Sequence, residues 1–176
     1  SGNNPLTTFD PDGRLGVSIG GVYSFQAFGG MGQTAIGLTI DDDFNLGLEI
    51  TMTKSHNDKN WGAGVSGGAY FKLYSMDNIY DQRGTGGSLG GYGGYGPGVG
   101  LEYNNYIVER KDKPGCWERV GSGITLSGGL GFTIGVGIYG AQDKTFVVGI
   151  NLKQAALIGR HLLNKQSFFI VSDDGH

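Results

Sequence analysis

The run Ile124-Thr125-Leu126-Ser127-Gly128-Gly129-Leu130-Gly131-Phe132-Thr133-Ile134-Gly135-Val136-Gly137-Ile138-Tyr139 decides the fold. Its apolar residues Ile124, Leu126, Leu130, Phe132, Ile134, Val136 and Ile138 alternate with small or polar ones. A period of two is the signature of a β-strand whose two sides meet different surroundings. Leu46, Leu48, Ile50 and Met52 repeat it opposite Gly47, Glu49, Thr51 and Thr53. So do Trp61, Ala63, Val65, Ala69, Phe71 and Leu73 opposite Gly62, Gly64, Ser66, Gly68, Tyr70 and Lys72. Further strands are predicted at 16–19, 22–28, 33–40, 98–109, 145–152 and 166–172.

Links as short as Gly29-Gly30-Met31-Gly32 and Asp41-Asp42-Asp43 make consecutive strands antiparallel neighbours. The expected fold is all-β: a Gly-rich antiparallel meander, closed or nearly closed into a barrel of about eight to ten strands. Glycine inside strands fits tight curvature and close approach of neighbouring backbones. One short helix is predicted at 153–164, where Ala155, Ala156, Ile158, Leu162 and Leu163 form an apolar face.

Composition narrows the function. Charged residues are 16% of the 176, below the roughly 25% of soluble domains, and 36 glycines take up the difference without a collagen period. A net charge of −3 gives no field that favours a phosphate backbone, so nucleic acid is not an expected partner. The single Cys116 rules out an internal disulfide. No run of about 18 apolar residues and no charged-then-apolar leader is present, so neither a helical membrane span nor a signal peptide is predicted in this segment. The low-complexity stretch Gly84 to Gly100 reads as a long loop or an irregular edge strand, and Glu109 to Lys113 before Pro114-Gly115 as an exposed turn.

The N-terminus, Asn3-Asn4-Pro5-Leu6-Thr7-Thr8-Phe9-Asp10-Pro11-Asp12-Gly13-Arg14, is first a turn-rich leader, with Pro5 and Pro11 fixing φ and Asp12-Gly13 closing a turn. As a pattern it resembles the end of the core of Rhs/YD-repeat proteins, where an Asn-Asn-Pro stretch leads into an Asp-Pro-x-Gly motif. Here these are Asn3, Asn4 and Pro5, then the junction residues Asp10, Pro11, Asp12 and Gly13. The resemblance covers some 12 residues, Asn3 to Arg14. It implies that residues 1–14 are the tail of such a core. Residues 15–176 are then a single barrel-like C-terminal domain of the toxin or effector kind, secreted or delivered to a target cell within a larger protein. It also implies a self-cleaving aspartate, but the earlier copy of the motif with which Asp10 would pair is absent from this segment, so a turn-forming Asp is the plainer reading. A cognate immunity protein and the parent Rhs shell are the partners it suggests.

Candidate chemistry is sparse. Arg160 and His161 on the predicted helix could serve a transferase or nuclease, or simply complement the helix dipole. His56 lies in a polar link, Lys54 to Lys59, between two strong strands, and a hairpin turn is the plainer reading there. Cys116 has basic neighbours that could lower a thiol pKa, yet a nucleophile also needs a base that sequence does not place. Asp41, Asp42 and Asp43 lack the spacing of a calcium loop and read as a solvated turn. Glu49 and Glu102, if they met in one cavity, would make a glycosidase-like pair. Tyr92 and Tyr95, with Tyr23 and Tyr70, offer aromatic contact surface for a ligand. No cofactor is expected, since no phosphate-binding loop or metal-ligand spacing is present.

Three classes follow. An effector could act on membrane lipid, because strands of about ten alternating residues match membrane barrels. A soluble barrel could bind an apolar ligand or a glycan. A structural plug of the repeat shell would have no activity of its own. Between the lipid-facing and soluble forms, Lys72, Glu49 and Glu102 opposite apolar residues favour a soluble barrel with a water-facing polar side.

Overall fold

The computed structural model describes residues 14–27, 30–76, 78–109 and 114–160, with the side chains of 56–61 and 133 outside the description. The alternating stretches become strands throughout: β1 (Leu15–Ala27), β2 (Gly30–Asp41), β3 (Asn45–Met76), β4 (Gly84–Tyr95), β5 (Gly98–Glu109) and β6 (Trp117–Asn151). A 3₁₀ turn, Ile79–Gln82, joins β3 to β4. Helix α1 occupies 152–160 after β6, starting one residue before the expected boundary. The rest of the predicted helix, the predicted strand at 166–172 and the leader 1–13 lie outside the described residues.

β3 has 32 residues and β6 has 35, so each runs along the wall twice. The two halves of β3 are antiparallel to each other and flank the β1–β2 hairpin, β2 on the first half and β1 on the second. β6 flanks the β4–β5 hairpin in the same way. β3 and β6 pair along their length, Asn45↔Asn151 through Met76↔Gly121. Walking from β1 through β2, β3, β6, β4, β5, β6 and β3 returns to β1, a closed eight-stranded antiparallel barrel. Among the described strands, closure leaves no unpaired edge. Beyond the hairpins of a meander, the chain thus adds long-range pairings that seal the ring.

Both long strands fold back at the end of the barrel where the hairpin tips lie. Gly62 and Gly135 pair there with φ of 141° and 145°. A Cβ on Gly62 would sit 2.1 Å from the Ile134 carbonyl oxygen, so backbone approach demands glycine. Nearby, a register shift between Ser55 and Asn57 inserts an extra residue. It reverses the parity of β3: odd residues such as Glu49 point inward before it, and even residues such as Lys72 after it. Leu48 and Phe71 therefore both remain outside.

The stretch Gly84 to Gly100 corrects the loop expectation, since it is β4 and the start of β5 around a tight turn. Gly96 takes φ 80° and Tyr95 N donates to the Pro97 carbonyl at 3.1 Å. Its glycines are places where a neighbour's ring or backbone comes close: a Cβ on Gly90 would meet the Tyr139 ring at 2.5 Å. Composition alone reads such a stretch as unstructured, whereas pairing on both sides, to β5 and β6, holds it in the sheet.

Candidate functional site

Alternation sorts the side chains into a polar lumen and an apolar wall. Outward positions carry Leu15, Ile19 and Phe25 on β1, Ile36 and Leu38 on β2, Leu48 and Phe71 on β3, and Leu89 on β4. Val99 and Leu101 continue the wall on β5, and alternate residues from Ile124 to Ile138 and from Phe146 to Ile150 do so on the two runs of β6, with exposed Gln142 and Lys144 between them. Inward positions bury Glu49, Lys72, Glu102 and Asp143 with serines, threonines and tyrosines. This overturns the expectation of a water-facing polar side: Glu49, Lys72 and Glu102 are 1%, 4% and 6% exposed. The physical reason is curvature. Small and hydrogen-bonding residues fit the crowded inside of an eight-stranded ring, while branched apolar residues take the roomier outside.

The lumen is a connected network. Lys72 forms an ion pair with Glu49 and donates to Gln82 Oε1 at 2.7 Å. Ser18 Oγ donates to Glu49 Oε2 at 2.7 Å and Thr51 Oγ1 to Glu49 Oε1 at 2.9 Å. Gln82 reaches Thr39 Oγ1 at 3.3 Å, and that hydroxyl shares a 2.7 Å bond with Tyr74. Across the lumen Glu102 accepts from Tyr139 OH at 2.7 Å and from Asn104 Nδ2, Thr125 Oγ1 donates to Asn104 at 2.7 Å, and Ser88 Oγ donates to Asp143 at 3.2 Å. The ammonium of Lys72 also lies 5.7 Å and 5.6 Å from the ring centres of Tyr74 and Tyr106, close enough for cation–π attraction. A buried charge is tolerable when satisfied in this way.

One end of the lumen is stoppered by the 3₁₀ turn. Ile79 is fully buried against Tyr74, Met76, Tyr106 and Val147. The Asp41 carboxylate holds the turn in place, accepting from Ile79 N at 3.1 Å and from Asn45 N and Nδ2 at 2.9 and 2.8 Å. Asp41 is therefore a buried organiser of this end and not part of a solvated turn. Asp43 pairs with Arg14.

Tyrosines fill much of the remaining interior over inward glycines: the rings of Tyr74 and Tyr139 lie on Gly16 and Gly90 of the adjacent runs, and Tyr70 reaches past β1 to set its hydroxyl over Gly37. What space is left is small. A cavity of about 50 Å³ lies among Ser24, Gln33, Ser66, Tyr92 and Tyr139, and one of about 20 Å³ among Glu49, Lys72, Glu102 and Asp143. Glu49 and Glu102 thus line one space, but it admits a water and not a sugar ring, so the geometry does not support a glycosidase pair.

The other sequence candidates scatter. Asp10, Pro11, Asp12, Gly13 and His161 lie outside the described residues, as does the side chain of His56. Arg160 is exposed on the last described turn of α1. Cys116 is exposed and free in the turn before β6. Tyr92 and Tyr95 do not share a surface: Tyr92 faces the lumen, its ring centre 6.3 Å from that of Tyr139, whereas Tyr95 stands outward and 83% exposed. Sequence reasoning missed Asp143, Asn104 and Gln82; the available signal for Asp143 was a lone charge on the polar face of its strand, while nothing local marks Asn104 or Gln82.

Fold and site together define an eight-stranded antiparallel barrel with a packed, charged lumen and an apolar outer wall. Compared with known protein families, curated proteins and solved structures, the chain matches none.

Proposed function

We propose that this chain is a membrane-inserting β-barrel whose partner is the lipid bilayer, the membrane-directed form of the effector suggested by its leader. The observation that carries the reading is the outward apolar side chains on all eight runs, with the ionisable Glu49, Lys72, Glu102 and Asp143 turned inward. Soluble monomers rarely expose a continuous apolar patch beyond a few hundred Å². Lipid-spanning barrels need such a band, and they tolerate charge inside.

Dimensions agree. The strands β1, β2, β4 and β5 have 12 or 13 residues. At about 3.3 Å per residue and a tilt of about 40°, such a strand rises about 30 Å, the thickness of a hydrocarbon core. Exposed aromatics stand at both ends of the wall, Phe25, Tyr95 and Phe132 near the hairpin tips and Phe44, Tyr103 and Trp117 at the opposite end, with Tyr23, Phe71 and Phe146 along the strands between. Such rims match the interfacial belts of membrane barrels. Because the lumen is filled, the activity assigned is insertion and not conduction through an open pore.

The test is to dilute the urea-unfolded 176-residue chain into preformed phosphatidylcholine–phosphatidylglycerol vesicles and float them. The protein is expected to float, to resist carbonate extraction and to have strand-rich circular dichroism. A monodisperse, detergent-free monomer that stays at the bottom of the gradient would overturn the proposal and return the soluble binding module or the shell plug.

A further inference from the structure

We infer that the barrel enters a bilayer hairpin tips first and keeps both described ends, Arg14 and α1, on the side from which it arrives. This rests on the membrane reading and adds a direction to it. Both described ends meet at one end of the barrel: Arg14 pairs with Asp43, and Leu152 N donates to the Phe44 carbonyl at 2.9 Å. The links after β2, β3 and β5 lie at that end too, because every run starts or stops there.

Charge follows the same division, apart from Lys144 on the outward face of β6. The end with the termini carries Asp42, Asp81, Arg83, Glu118, Arg119 and Lys153, among others. At the tip end, Ala27-Phe28-Gly29-Gly30, Tyr95-Gly96-Pro97-Gly98 and the fold-back of β6 from Leu130 to Val136 contain no ionisable group but the Tyr95 phenol. The link through β3 brings only Lys54, Asp58, Lys59 and His56. Moving charge through hydrocarbon is the costly step of insertion, so the leading end is the one that has least to move.

The charged end is also built to stay at the headgroups. Lys153 Nζ lies 4.9 Å from the ring centre of Phe44, and Arg119 donates from Nη2 to the Tyr103 hydroxyl at 2.6 Å. Each pairs a cation with an exposed rim aromatic, which suits the interface between lipid and water.

Cys116, the sole cysteine, marks the charged end, and the Cys116→Ser, Pro97→Cys double variant marks the tips. Each protein is added from outside to sealed vesicles, floated, and exposed to a membrane-impermeant maleimide before and after lysis. The expected result is that the native thiol reacts in intact vesicles, while the Pro97→Cys variant loses that labelling until lysis. The opposite pattern, or equal partial labelling of both, overturns the direction while leaving insertion intact. Full labelling of both without flotation overturns insertion itself.

Discussion

Lys72 is the hub of the lumen, one ammonium between Glu49 and Gln82 with Tyr74 and Tyr106 beside it. Removing it leaves the Glu49 carboxylate buried and uncompensated, and Lys72→Met is expected to cost about 3–5 kcal/mol of stability. Adding Glu49→Gln should recover most of that loss, because the amide oxygen can still accept from one of the Ser18 and Thr51 hydroxyls while its NH2 donates to the other. Urea titration of the vesicle-bound barrel checks both, and a double variant as unstable as the single one would refute the pairing. A second residue-scale expectation concerns the glycine sockets. Gly90→Val drives a methyl group into the Tyr139 ring and should destabilise by about 1–3 kcal/mol, as overpacking does elsewhere. Trimming the ring with Tyr139→Ala in the same chain should give part of it back, and strict additivity of the two changes would show that they do not touch.

At the scale of the strand, the two faces respond oppositely to charge. Leu126 is outward and 57% exposed, so Leu126→Lys in a water-facing wall would be nearly silent. In a lipid-facing wall it should cost about 2–4 kcal/mol if near the midplane, read as a lower urea midpoint in vesicles. This is also where the sequence was legible only in part. Alternation in β6 and in both halves of β3 foretold strands and their two faces, because the period is a local property. It did not say which face was inside. Glu49, Lys72 and Glu102 look solvated because charge usually is, yet each is the one charge on its face of the strand, among Gly, Thr, Asn and Tyr, too sparse for a surface that typically carries about 25–35% charged residues. The fold-backs of β3 and β6 were hidden for another reason. The apolar alternation of β6 runs through its bend at Leu130 to Val136 without a proline or a polar turn, and only the distant pairing partners reveal it.

For the whole molecule, the filled lumen sets the expected behaviour in membranes. Cavities of about 50 and 20 Å³ hold at most a few waters, whose share of liquid volume is about 30 Å³ each. Insertion should therefore proceed without lasting release of an entrapped dye, and a stable, size-selective leak would mean that the lumen opens in lipid. If the leader marks an envelope-directed effector, induced chain exported to a bacterial periplasm should slow growth more than equal amounts kept in the cytoplasm. Equal, normal growth with verified insertion would leave a membrane barrel that is not a toxin. The meeting of both described ends at the Asp42–Phe44 turn has one more consequence. In a ring there is no first or last strand, so the position of the termini is a choice among gaps and not a requirement of the architecture. A chain reconnected from α1 to β1 by a short linker and opened between Gly96 and Pro97 should build the same wall and the same lumen, with its ends now at the opposite rim.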